Sequence, residues 1–139
     1  MSALSQHIRD GWVEFLLRHR WSHSLHLTAQ SPSSKASLEK QFRRLFWGCE
    51  RVAKRHLGAF LALERGAAGN LHCHALLAGA DELTVRAVQE AWKGHSRVHR
   101  VECPEAVVRY ATKWAPVNSE DYLLVGRLDR YRRSSDEEN

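Results

Sequence analysis

AFLALER (59–65), GAAGN (66–70) and LHCHALLAG (71–79) follow one another without interruption, and the reading of this stretch decides the fold. Leu61 and Leu63 share one face of the first segment. GAAGN is turn chemistry, because two glycines and an asparagine tolerate positive φ. The third segment then returns, so 59–79 reads as an antiparallel β-hairpin. His72 and His74 are one residue apart on the returning strand, and side chains alternate across a strand. Both imidazoles therefore face one side. Cys73, Ala75 and Leu77 face the other, the expected core side beneath the helices.

Ahead of the hairpin lies the longest helical pattern, 35–57, closed by Gly58. Leu38, Phe42, Leu45, Phe46, Cys49 and Ala53 form its apolar stripe, with Lys40, Arg43, Arg44, Arg51, Lys54 and Arg55 largely off it. A charged helix face is ordinarily solvated surface, and it is read so here. Further upstream, WSHSLHLTA (21–29) alternates as a half-buried strand, with Ser24, His26 and Thr28 on the polar side. Residues 3–19 carry a helical pattern through Leu4, Ile8, Trp12, Phe15, Leu16 and His19.

Downstream, 81–94 reads as a helix opened by Asp81 and closed by Gly94, and 97–103 as a short strand. Pro104 opens a helix over 104–114, with Ala106, Val107, Ala111 and Trp114 expected to face inward, and Pro116 stops it. DYLLVG (121–126) is a last short strand, and 127–139 a polar tail expected to fray. After the first helix the order is β-α-β-β-α-β, then helix and strand. The expected fold is α+β and ferredoxin-like, of the RRM kind: a roughly five-stranded antiparallel sheet with helices mainly on one face. Without repeats or linkers, residues 1–139 read as a single domain, with its N-terminal helix inside 1–20.

Composition narrows the classes. Apolar residues make up 43% of the chain, enough for one packed core, and no run of about 18 apolar residues is available to span a membrane. The N-terminus lacks a signal-peptide pattern, so a cytoplasmic location is expected. Three widely spaced cysteines, Cys49, Cys73 and Cys103, fit reduced thiols better than a disulfide framework. Lys and Arg outnumber Asp and Glu by 21 to 16, a surplus that favours a phosphate-bearing partner.

Two imidazoles on an open sheet face supply half of a divalent-metal site. The third ligand turns on hairpin parity. A five-residue loop, 66–70, pairs Arg65 with Leu71 and sets Glu64 opposite His72 on the same face, whereas a four-residue loop would turn Glu64 into the core. A carboxylate with two imidazoles leaves positions open for water and a phosphate oxygen, which suits Mg²⁺ or Mn²⁺ better than a closed zinc site. Cys73 faces the wrong way to join.

Tyr110 and Lys113 lie three residues apart on the Pro104 helix and so share a face. A phenolate can attack a phosphodiester in line, giving a phosphotyrosyl ester and a free 3′-hydroxyl. An unperturbed tyrosine, with a pKa near 10, needs help to ionise, and a cation such as Lys113 favours the phenolate and steadies the charged phosphorane. Arg109, next in sequence, makes the neighbourhood basic.

Together these residues resemble the HUH endonucleases, in particular the small initiators of rolling-circle replication. Three motifs match in order: the apolar strand ending in Thr, LHLT (25–28); the His-hydrophobic-His strand LHCH (71–74), preceded by the acidic LERG (63–66); and the Y-x-x-K helix, YATK (110–113). The resemblance runs from about Trp21 to Val125. It implies a five-stranded antiparallel sheet with the tyrosine helix near the metal face. It also implies site-specific nicking and rejoining of single-stranded DNA at a replication origin through a 5′-phosphotyrosine link. In that reading Glu64, His72 and His74 bind Mg²⁺ or Mn²⁺, Tyr110 is the nucleophile and Lys113 the positioning cation. His26, Thr28 and Arg109 are the expected DNA contacts. Cys73 stands where a larger aliphatic residue is common, and His26, on the metal face, could contact DNA or metal.

No Walker-type phosphate loop is present, so unwinding falls to a separate host helicase or to supercoiling. Single-tyrosine transposases and relaxases share the chemistry, but the 36 residues from His74 to Tyr110 look more like a replication initiator. A non-catalytic nucleic-acid-binding module would show stacking aromatics on its open face. Here Phe60 is the only one expected there, among His26, Glu64, His72 and His74.

Overall fold

The computed structural model describes residues 2–29, 34–65, 70–113 and 121–134. Along the chain run α1 (Ala3–Leu17), β1 (His23–Thr28), α2 (Lys35–Ala53), β2 (Gly58–Arg65), β3 (Leu71–Ala78), α3 (Val85–Glu90), β4 (His95–Arg100), α4 (Pro104–Ala111) and β5 (Tyr122–Gly126), then a 3₁₀ turn, Leu128–Tyr131. The five strands form one antiparallel sheet in the order β4-β1-β3-β2-β5, so the class is α+β. The hairpin strand β3 lies at its centre.

Local chemistry sets the helix ends. Ser2, Ser34 and Thr84 cap α1, α2 and α3, each accepting a bond from the backbone N–H three residues on. Asp81, the expected cap of the third helix, lies three residues too early. The Thr84 hydroxyl takes the Ala87 N–H, and α3 is one short element. Residues 95 and 96 then join β4, where pairing with β1 satisfies their backbone.

The helices do not lie mainly on one face. α2 and α3 cover one side, where Phe42, Phe46, Val88 and Trp92 pack on Leu25, Leu27, Leu61, Leu63, Cys73, Ala75 and Leu77. On the other side Val13 and Leu16 of α1, with Val108 and Ala111 of α4, pack on Phe60, Ala62, Leu76 and Ala78. The physical reason is in the hairpin itself. FLAL and ALLA are apolar on both faces, and such strands are stable only between two layers. Phe60, expected on an open face, is fully buried against Trp12 and Tyr122.

The inward residues of α4 are Val108 and Ala111, not Ala106, which is exposed; Trp114 lies outside the described residues. Nor does the whole tail fray. Leu128 is buried, the Tyr131 hydroxyl donates to the His56 carbonyl, and the Arg20 and Arg133 N–H groups bond to the Tyr131 and Arg18 carbonyls. Gly79, at φ 91°, leaves room for the Tyr131 ring, which stands where a side chain would. Residues 135–139 lie outside the described residues. No helix among those described is long and apolar enough to cross a membrane.

Candidate active site

Three neighbouring strands build the polar end of the sheet's second face. On β1–β3, His26 pairs with His74 and Thr28 with His72; on β2–β3, Glu64 pairs with His72 and Ala62 with His74. Glu64 thus stands opposite His72, the register of the five-residue hairpin loop. Even-numbered residues of all three strands share this face. α1 and α4 cover its apolar part and leave its polar end in a partly open recess.

Within that recess His26 Nε2 lies 2.8 Å from His72 Nδ1, and the ring centroids of His26 and His74 are 4.4 Å apart. One ligand-capable nitrogen from each of His26, His72 and His74 falls within 4.8 Å of the others. Glu64 Oε2 comes to 2.7 Å from His74 Nε2, yet this buried oxygen has no hydrogen-bond partner.

Burial is the largest cause pushing the His74 imidazole down to about 3, with His26, Lys113 and His72 adding repulsion. Burial also lowers His26, aided by His72, Arg97 and Lys113. Near neutral pH both rings are therefore uncharged, with lone pairs to give. The Glu64–His74 contact is then no salt bridge. The three imidazoles form a group that could hold a metal ion, and Glu64 stands beside it with one buried oxygen that no donor meets; a divalent cation fits this set. Cys73 is fully buried on the opposite face, where burial pushes its thiol up, and it takes no part.

Helix α4 brings Tyr110 to the same place. Its ring stands edge-on to His74, with centroids 4.8 Å apart and planes at 88°, while Lys113 Nζ sits 4.3 Å from the ring centroid, over its face. Tyr110 remains 54% exposed. Its backbone is held from behind: Val108 and Ala111 pack on α1, Arg9 donates to the Arg109 carbonyl at 3.2 Å, and Thr112 Oγ1 donates to the Val108 carbonyl at 2.8 Å.

Between β1, β4 and α4 a cleft of about 300 Å³ opens beside these groups, lined by Ser24, His26, His74, Arg97, His99, Val107 and Tyr110 among others. Of the expected DNA contacts, His26 lines it. Thr28 shares the face beside His72 without lining the cleft. Arg109 is also outside the lining and is paired with Glu105 at 3.0 Å. Arg97 and His99 were not singled out from the sequence. They reach the cleft because β4 pairs with β1, setting Arg97 beside His26 and His99 beside Ser24. The only sequence signal was their alternation on a strand whose neighbour was unknown.

No family model and no curated protein matches the chain. Among solved structures, the hypothetical protein ORF119 from Sulfolobus islandicus rod-shaped virus 1 is similar, with a TM-score of 0.53 and 19% identity over 75% of this chain and 90% of that one. The N-terminal nuclease domain of minute virus of mice non-structural protein 1, whose structure is described for its Zn²⁺ coordination and its recognition of DNA at the origin of replication, gives a TM-score of 0.32 and 11% identity, over 90% of this chain and 73% of that one. The second similarity is too slight to bear on this chain. The first extends to the fold alone, a virus-encoded α+β domain of related architecture.

Proposed function

We propose that this chain nicks and rejoins single-stranded DNA at a replication origin, with Tyr110 as nucleophile and a divalent ion held by Glu64, His72 and His74. The observation that carries the reading is an exposed phenol, Tyr110, edge-on to a buried imidazole, His74, whose neighbour Glu64 offers an undonated oxygen. His26 adds a third imidazole in reach, which disfavours Mg²⁺, an ion that prefers oxygen ligands.

The ion, when bound, would polarise the scissile phosphate and hold it in line. Tyr110 Oη then attacks phosphorus. The new Oη–P bond forms as the P–O3′ bond breaks, the phenolic proton leaves to solvent, and the departing oxygen takes up a proton as a 3′-hydroxyl. Lys113, over the ring, offsets charge in the pentavalent transition state. Attack by a 3′-hydroxyl on the phosphotyrosine reverses the step and rejoins the strand.

Origin nicking, rather than transposition or mobilisation, rests on the 36-residue interval from His74 to Tyr110. Unwinding would fall to a separate helicase. A stacking-type binding module is disfavoured because Phe60 is buried and leaves no aromatic from the sheet on the open face. The test is a covalent protein–DNA adduct formed with single-stranded DNA and Mn²⁺. Its loss in Tyr110→Phe supports the assignment, and an undiminished adduct in that variant refutes it.

A further inference from the structure

The outer face of α2, across the sheet from the histidines, carries a row that cleavage does not use. Lys40, Arg44, Trp47, Arg51 and Lys54 recur at intervals of four, three, four and three. At 100° per residue Lys40, Arg44, Trp47 and Arg51 fall within about 60° of arc and run about 17 Å along the helix, and Lys54 follows at its C-cap in the left-handed conformation. All five are exposed, Trp47 by 54%, a large value for an indole.

A row of charges on a helix is usually solvent-facing surface balanced by acids one turn away, and four other helix arginines follow that rule. Arg18 pairs with Glu14, Arg43 with Glu39, Arg86 with Glu90 and Arg109 with Glu105. Among the described residues, Lys40, Arg44, Arg51 and Lys54 make no ion pair. The acids of α2 sit elsewhere: Glu39 is engaged by Arg43, and Glu50 accepts from the Leu57 N–H. Four unbalanced cations with a bared indole in their midst are an anion-binding track with a stacking platform.

We propose that this face of α2 binds single-stranded DNA, the cations tracking successive phosphates and Trp47 stacking on an unpaired base. A duplex would satisfy the cations but not the indole, because its bases are already stacked; the exposed Trp47 selects the single strand. This second surface lies on the far side of the sheet from Tyr110, so it acts on strand outside the cleavage site. It shares only the ligand class with the proposed function and is tested apart from cleavage.

The experiment is equilibrium binding of a fluorescently labelled long oligodeoxythymidine, in EDTA so that no cutting occurs. It compares wild type, Trp47→Ala, Trp47→Phe and the quadruple variant Lys40→Gln/Arg44→Gln/Arg51→Gln/Lys54→Gln. With about 0.7 counterions released per single-strand phosphate, four contacts steepen the log–log salt slope by about 2.8; between about 50 and 200 mM salt the wild type should lose about 50-fold more affinity than the quadruple variant. Trp47→Ala should weaken binding about 5- to 150-fold, with Trp47→Phe closer to wild type. Helical circular dichroism confirms that each variant is folded, and adduct formation on a short oligonucleotide should be unchanged. A quadruple variant with the wild-type salt slope overturns the proposal. So does Trp47→Ala binding at full strength, or a duplex bound as tightly as the single strand. A wild type that forms no adduct would defeat the nicking reading while leaving these binding results to stand or fall alone.

Discussion

Tyr110 and His74 meet edge to face, 4.8 Å between ring centroids, although α4 and β3 contribute them from opposite ends of a long intervening segment. The imidazole is fixed in the central strand of the sheet. The phenol is fixed by a short helix clamped on α1. Both thus stand on regular elements rather than loops, which fixes their mutual geometry.

Tyr110→Phe should abolish the covalent adduct, a fall of at least about 10³-fold in rate, because the ring stays and only the nucleophilic oxygen goes. The residue is exposed, so stability should shift by no more than about 0.5 kcal/mol. Gel-shifted protein–DNA product and a thermal melt on the same sample separate the two effects.

Glu64→Gln should weaken Mn²⁺ binding by at least about 10-fold, measured by calorimetric titration. Wild-type protein at a metal concentration of 100 times Kd should gain about 2.7 kcal/mol over the chelated form, and the variant visibly less. Equal Mn²⁺-induced melting shifts in the two would remove Glu64 from the ligand set.

Acid should destabilise the metal-free protein earlier than its carboxylates alone would dictate. His19, His23, His26 and His74 are all lowered, chiefly by burial. Above pH 6.5 both folded and unfolded forms of these rings are neutral and the full stability is present. Below 6.5 the unfolded chain takes up protons that the folded one refuses, so stability falls as pH falls. For His74 this window extends from 6.5 down to about 3. Urea midpoints in chelator at pH 7.5 and pH 5 should show the drop, and His74→Asn should make it shallower. A flat profile would contradict the buried, neutral state of these rings.

Leu128→Ala should cost about 2–5 kcal/mol on urea unfolding, the range for a buried leucine, even though the residue opens a polar tail. Phe60→Ala, between the sheet and α1, should cost about 3–5 kcal/mol. A neutral Leu128 variant would mean that the 3₁₀ turn does not pack in solution.

Much of this protein was legible in its residues alone. The period of two in LHCHA placed His72 and His74 on one face with Cys73 opposite, a local rule of strand geometry that needs no tertiary information, whereas the side taken by Glu64 turned on the hairpin loop and was set by the β2–β3 register. Five strands and four helices were readable from periodicity and punctuation for the same reason. What only the tertiary structure decided was everything that depends on which strand or helix is the neighbour. Pairing of β1 with β3 carried His26 into the imidazole cluster, and pairing of β1 with β4 brought Arg97 and His99 to the cleft. Packing of α1 and α4 on the histidine face buried Phe60 and set Tyr110 against His74. A side chain's direction follows from its own backbone, but its partners are chosen by long-range burial of apolar surface, which no local pattern encodes.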